Sequence, residues 1–294
     1  MLECALNLSE GRRPDVIQSI ASSAQGVRVL DIASDTDHNR TVLTFVGEPK
    51  DAVEAAFRVC QAAVGLIDMG QHSGAHPRMG AVDVIPFVPL QQASMDDAIG
   101  AARAVGQRLG TELGIPVFLY EEASTRPDRR NLADVRRGEY EGLAAKLADP
   151  RWTPDYGPLL PHPTAGATAV GARIYLVAYN VNLNTFDLDI AQAIARSIRA
   201  KTGGLHNVKA LGVLLEDRHL TQVSMNVVDP FHTPLYRVME MVRVEAARYG
   251  VAVVGSEIVG LVPLSVLLET ARYYLQLEGF ADDQVLEKRL WETA

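Results

Sequence analysis

The stretch DMGQHSGAHPRMGAVDVIPFVP, Asp68 to Pro89, sets a polar loop punctuated by glycine against an apolar strand, and the chain reads outward from it. Gly70, Gly74 and Pro77 interrupt any helix across its first half. The residue before a proline is pushed out of the α region, so His76 belongs to a loop. Ala81 to Val88 is strand-like. Loops held between rigid elements are where binding and catalytic groups concentrate, and histidine changes charge nearest neutral pH. His76 is therefore the first candidate for chemistry.

Towards the N-terminus, strands and helices alternate. Glu3 to Leu8 reads as a strand, and Pro14 opens a helix with Ile17, Ile20, Ala21 and Ala24 on one face. Val27 to Ile32 and Thr41 to Val46 read as strands, with Asp35, Asp37, His38, Asn39 and Arg40 between them. Pro49 then opens a long helix striped by Ala52, Val53, Ala56, Cys60, Ala63, Val64 and Ile67. Beyond the histidine loop, Ser94 and Asp97 form a capping box, Gly114 fits a helix C′ position, and Ile115 to Tyr120 is a strand. The order is β-α-β-β-α-β with an α-β addition.

The second half repeats that order, with strands at Ala172 to Val181, Val208 to Leu215, Leu220 to Val228 and Val251 to Ile258. Helices at Leu188 to Ala200, Leu235 to Tyr249 and Leu264 to Leu277 complete it. Two split β-α-β patterns predict an α/β (α+β) protein of two ferredoxin-like subdomains, each a mixed sheet with helices packed on it, spanning 1–170 and 171–294. Asp149 to Gly171, rich in Pro and Gly, reads as a long loop or linker between them. A cleft between two subdomains is a usual place for a small ligand.

Composition bounds the function. The 294 residues are 48% hydrophobic and 22% charged, enough for one large core or two modest ones. A net charge of −8 argues against a general binder of nucleic acid or membrane surface. Cys4 and Cys60 have no paired framework and no metal-ligand spacing, and are expected as reduced thiols. No signal peptide is read at the N-terminus, and Ser256, Glu257, Pro263 and Ser265 break the most apolar region. The expectation is a soluble, cytoplasmic protein.

Several features have both a functional and an ordinary reading. His72 and His76 stand four apart, as helical metal ligands do, but Gly74 and Pro77 spoil the helix and no third ligand is evident; a role without metal is preferred. A metal-dependent hydrolase using both histidines is the alternative. Arg40 and Arg78 could hold carboxylates bidentately, or serve as surface charges. Arg126, Arg129, Arg130, Arg136 and Arg137, interleaved with Asp128, Asp134 and Glu139, read as a solvated helix face rather than an anion site. Gly166 to Arg173 could let backbone approach a flat ligand, or be a tight turn into the next strand.

Six strings carry a family resemblance. They are Asn7-Leu8-Ser9-Glu10-Gly11-Arg12, Asn39-Arg40-Thr41-Val42, Leu66-Ile67-Asp68-Met69, His76-Pro77-Arg78-Met79-Gly80-Ala81, Gly166-Ala167-Thr168-Ala169-Val170-Gly171-Ala172-Arg173, and Gly255-Ser256-Glu257-Ile258-Val259-Gly260-Leu261-Val262-Pro263. Together they resemble the glutamate formimidoyltransferase family, which includes the formiminotransferase half of the bifunctional formimidoyltransferase-cyclodeaminase. The resemblance runs in order along nearly the whole chain, and the expectation is a free-standing transferase. It implies transfer of the formimino group of N-formimino-L-glutamate to N5 of tetrahydrofolate, in histidine degradation, without metal.

The resemblance also implies roles for individual residues. His76 matches the family's catalytic histidine as general acid and base. Arg40 and Arg78, with Asn39, match substrate-binding positions. Gly157, Pro158, Pro163, Thr164, Ala165, Gly166 and Ala167 fall where the family has its folate loop. A homodimer built through the first subdomain is implied as well. Ser73 and Ala75 replace the Lys and Glu of the frequent His-Lys-Gly-Glu-His-Pro-Arg motif, Ala33 stands where an acidic residue is expected, and Leu159 to Ala165 carries no aromatic. Two alternatives follow: a glutamate formyltransferase acting on N-formylglutamate, and a folate-binding module without catalysis.

Overall fold

The computed structural model describes residues 1–74 and 77–292, with only the backbone of Glu292. The chain forms two units, Met1–Ile174 and Tyr175–Ala294. In the first unit the elements follow as β1 (Leu2–Leu8), α1 (Pro14–Ala21), β2 (Arg28–Asp35), β3 (Arg40–Gly47), α2 (Pro49–Leu66) and β4 (Val82–Pro89). Then come α3 (Met95–Glu112), β5 (Val117–Glu121), α4 (Leu132–Val135), α5 (Leu143–Ala148) and β6 (Thr168–Ala172). The sheet runs β2-β3-β1-β4-β6-β5, antiparallel as far as β4 and parallel from there on.

Local sequence explains these elements. Alternation in β1 puts Leu2, Cys4, Leu6 and Leu8 on the face covered by helices, where all four are fully buried. Pro49 stands at the start of α2, whose Ala52, Ala55, Ala56 and Ala63 are buried small side chains that let the helix lie close against α3. Ser94 and Asp97 bond reciprocally as the expected capping box, and Gly114 follows α3 at φ +65°. Each fully buried Leu or Phe contributes about 1.5–3 kcal/mol. On the opposite face of β4, β5 and β6, Val84, Phe118, Tyr120 and Ala169 pack with Val135, Leu143 and Leu147.

The second unit holds β7 (Val177–Leu183), α6 (Leu188–Ile198), β8 (Val208–Leu215), β9 (Leu220–Val227), α7 (Leu235–Ala247), β10 (Val253–Val259), α8 (Leu264–Leu275) and α9 (Leu286–Glu292). Its sheet runs β10-β7-β9-β8 with all three pairings antiparallel. Val181, Ile194, Val223, Val238 and Val242 form the centre of its core. Read as β8-β9-β7-β10, it has the same strand order as β2-β3-β1-β4, so both units contain the split β-α-β arrangement read from the sequence.

Three expectations need correction. Asp149 to Gly171 is not a linker: Thr168–Ala172 is a strand between β4 and β5, so the boundary expected at 170 falls after Ile174. A Cβ on Gly171 would stand 2.5 Å from the Tyr120 ring, so the glycine that looked like punctuation lets an aromatic lie across the strand. Accordingly, the single strand expected over Ala172 to Val181 is two strands of different sheets. Arg129 and Arg136 do not lie on a solvated face either. Arg129 is 1% exposed and paired with Asp155, and Arg136 reaches Asp83.

Both cysteines are buried free thiols whose pKa burial raises. Among the described residues, no helix is long and apolar enough to cross a membrane.

Glu3 is the unusual acid of the first sheet. It is 5% exposed between Val46 and Val88, its Oε2 has no hydrogen-bond partner among the described residues, and burial pushes its carboxyl up to about 7 against the pull of Arg173. The folded chain thus holds a proton that the unfolded chain releases near pH 4.3. Stability from this group is complete below that pH and is lost as pH rises towards 7. Glu3→Gln is expected to stabilise the protein by on the order of 2–3 kcal/mol at pH 8 and by much less at pH 5. Urea unfolding at the two pH values tests this, and equal effects at both would refute it.

Candidate active site

Four segments meet at one end of the first sheet, where β1 ends and β3, β4 and β6 begin. Ser9, just past β1, donates its N–H to Ala81 O at 2.9 Å and its hydroxyl to Gly80 O at 2.7 Å. In the β2–β3 turn, Asn39 adopts φ +48° and is buried. Its Oδ1 accepts the Gly11 N–H at 2.9 Å and its Nδ2 donates to Ser73 O at 3.0 Å. One amide thereby joins the segment after β1 to the histidine loop.

His72 extends the joint. Its Nε2 donates to Asn39 O at 3.1 Å, while Nδ1 accepts the Arg78 Nε–H at 3.3 Å. Both ring nitrogens are thus engaged, which fixes the tautomer and ties the β2–β3 turn to Arg78. No group of three or more metal-ligating side chains occurs among the described residues. Arg78 is 7% exposed; it forks onto Glu141 at 2.9 and 2.6 Å and reaches Glu139 at 3.2 Å. The Glu141 hydrogen bond outweighs burial and raises the Arg78 pKa, and the same contact lowers that of Glu141. Any substrate carboxylate using Arg78 shares it with, or displaces, the exposed Glu141.

Asp83 lies beneath, 2% exposed. Its Oδ1 accepts the Met79 N–H at 2.8 Å and its Oδ2 accepts from Arg136. Burial raises its pKa, against Arg136, the Met79 N–H and Arg40. Arg40 is itself disfavoured as a cation by burial and by Arg136, and supported by Asp35 and Asp83. A narrow recess opens here, lined by His38, Asn39, Arg40, His72, Arg78 and Asp83, with Leu8 and Ser9. Its lining gathers cations and oriented polar groups, but as it stands it is too narrow to admit a water molecule.

The residues matched to the folate loop divide into two sets. Thr164 O accepts the Met69 N–H, Ala165 O accepts the Ala81 N–H, and the Ala167 N–H donates to Met79 O, so 164–167 is fastened to both ends of the histidine loop. Gly166, at φ +68°, lies against Met79 O, where no Cβ fits. Pro163 is exposed beside them. Gly157 and Pro158 lie elsewhere, at the start of β5, with Gly157 against Ile115 O at φ +88°. His76 lies outside the described residues.

Sequence reading missed Asp83, Arg136, Glu139, Glu141 and His38. Asp83 had a signal, a carboxylate inside an otherwise apolar strand, which needs a buried partner. Glu139 and Glu141 had none, because their partner is about 60 residues away along the chain.

The first unit thus gathers cationic and polar groups at the sheet end that carries the histidine loop. Comparison with known proteins specifies the class. A family model described as the formiminotransferase domain, N-terminal subdomain, matches residues 1–173, and one described as the formiminotransferase domain matches 178–289. The chain belongs to the formiminotransferase family. It is 50% identical over 294 residues to a glutamate formimidoyltransferase of Streptococcus pyogenes serotype M1, covering 99% of this chain and 98% of that one. Another, from Thermoplasma acidophilum, is 49% identical over 299 residues, covering 100% and 98%. The formimidoyltransferase-cyclodeaminase of Sus scrofa is 44% identical over 288 residues, 95% of this chain and 53% of its own length.

Proposed function

We propose that this chain is a glutamate formimidoyltransferase, moving the formimino group of N-formimino-L-glutamate to N5 of tetrahydrofolate in histidine degradation. The observation that carries this reading is the match, along the full length of both chains, to two glutamate formimidoyltransferases. The lone pair of N5 attacks the amidine carbon and N5 loses a proton; the bond from that carbon to the glutamate nitrogen then breaks, and the nitrogen gains a proton. His76 takes the first proton as general base and delivers one to the departing nitrogen as general acid. Arg40 and Arg78, set by Asn39, receive the substrate carboxylates. The folate lies along Gly157, Pro158 and Pro163 to Ala167, and the chemistry uses no metal. The enzyme is cytoplasmic and acts as a homodimer; the edge strand β2, with Val29, Leu30 and Ile32 exposed, supports a partner at the first unit.

The test is turnover of tetrahydrofolate with N-formimino-L-glutamate, run beside N-formyl-L-glutamate and repeated with chelator. Formimino transfer undiminished by chelator is the expected result. Formyl transfer alone would move the substrate assignment, and folate binding with neither donor reacting would overturn the enzyme.

A further inference from the structure

The last helix of the second unit turns an apolar face to solvent. In α9, Leu286, Leu290 and Trp291 are 69%, 58% and 66% exposed. The helix packs chiefly against the short turn that precedes it, Asp282–Gln284. A helix of seven residues is not stable in water by its own hydrogen bonds, so an apolar face of this kind calls for a partner surface.

The same unit carries a surface that matches it. Between α7 and α8 runs a groove of about 290 Å³, lined by Tyr236, Arg237, Glu240, Met241, Val244 and Tyr273. The Tyr236 and Tyr273 rings stack at 4.2 Å and give it a rigid apolar wall, and Val244 stands exposed at its edge. Glu240 is taken up by Arg243 at 2.6 Å and by the Tyr274 hydroxyl at 2.7 Å. At about 100° per residue, the exposed Arg237 falls between Val244 and Met241 on α7, and the exposed Glu287 falls between Leu290 and Trp291 on α9. Each apolar face therefore has a charge within it, and the two charges are opposite.

The groove lining includes no residue of the chain's own α9, and ion pairs hold that helix elsewhere. Arg272, on α8, donates to Asp282 at 2.6 Å and lies 5.5 Å from the Phe280 ring centre. Lys288 and Arg289 then reach back from α9 to Asp282 at 3.4 Å and Asp283 at 2.9 Å. Turn and helix form one piece fastened to α8 at Arg272, about 100° round the helix from Tyr273. An occupant of the groove with the right face is thus the α9 of another copy.

We propose that α9 of one chain docks in the α7–α8 groove of a second copy, and reciprocally. Leu286 and Leu290 fill the groove beside Tyr236 and Tyr273, and Glu287 meets Arg237. Exchange of the two helices gives an isologous contact in which each chain is donor and acceptor. This contact is separate from the partner proposed at β2 and does not depend on the reaction.

The test is a full chain carrying Val244→Cys and Leu290→Cys, treated with a short bismaleimide that joins two thiols in contact; the native Cys4 and Cys60 are buried. A two-chain product on a denaturing gel, absent from either single variant, is the expected result. A one-chain product with an internal link would place α9 in its own groove, and no link would leave the groove without this occupant; either outcome overturns the proposal. Charge reversal supplies a second readout. Arg237→Glu in this background should slow the two-chain link about fivefold to tenfold, and adding Glu287→Arg should restore it. Equal rates in all three chains would reduce the link to random collision and overturn the contact. All four positions are exposed, so the substitutions leave the fold of the unit in place.

Discussion

Replacing Asp155 with alanine is expected to destabilise the first unit by about 3–5 kcal/mol. The carboxylate is the counter-ion of Arg129, the largest fully buried side chain among the described residues. Arg129 Nη1 donates to Asp155 Oδ2 at 3.0 Å, and Nη2 donates to Arg151 O at 3.1 Å and Thr153 O at 2.7 Å. The Phe118 and Trp152 rings stand 5.4 and 5.7 Å from its guanidinium carbon. Asp155 also accepts the Leu119 N–H of β5 at 2.9 Å. Alanine would leave a buried cation without its counter-ion and a strand amide without an acceptor. The double variant Arg129→Met with Asp155→Ala should recover much of the loss, because well-packed apolar groups often replace a buried ion pair at little cost. Denaturant midpoints of the two variants decide it; a loss below about 1 kcal/mol for Asp155→Ala would mean that water reaches the guanidinium.

That ion pair matters beyond stability because the segment it pins, residues 127–155, carries Arg136, Glu139 and Glu141 to the site. It is also the part of the first unit that sequence reading described least well. Alternation in β1, the stripe of α2 and the Ser94 capping box are local signals, with partners within one helical turn or on the next strand, and all three elements were legible. The segment after β5 has only short helices, α4 and α5, and its order comes from Arg129, Arg136 and Lys146 bonding to distant backbone and carboxylates. Such partnerships leave no periodicity. A run of arginines and acids reads alike whether it faces water or crosses a core.

The site divides in the same way. His72 and Arg78 stood out because glycine and proline marked their loop, and Asn39 because the family resemblance implied it; the structure brings all three together. Gly157 and Thr164–Ala167 were read as one loop, yet the former lies at β5 and the latter at the histidine loop. The reason is the tight closure at 162–166, where the His162 N–H and Gly166 O bond at 2.9 Å and the Gly166 N–H and His162 O at 3.0 Å. Nδ1 of His162 accepts the Ala165 N–H at 3.0 Å. Proline and glycine announced a turn there, but not which strand would receive it.

On the proposed reaction, His76→Ala should lower kcat by about 10²–10⁴-fold while KM for both substrates stays within a few-fold. His76 lies outside the described residues, and the frame on either side of it is held by other groups. Ser73 O is held by Asn39 Nδ2, Arg78 by Glu139, Glu141 and His72, and the Met79 N–H by Asp83. These contacts bind the loop through groups that the substitution leaves in place, so the folded site and its arginines persist. What is lost is the group that takes the N5 proton, and without it attack proceeds through a high-energy ammonium. A uniform rise in KM at unchanged kcat would show that His76 only binds substrate. Loss of activity together with a fall in melting temperature of several degrees would show that it holds the loop. The expected pattern, a kcat collapse in a protein that melts as the wild type does and binds folate as tightly, assigns the proton transfer to that ring.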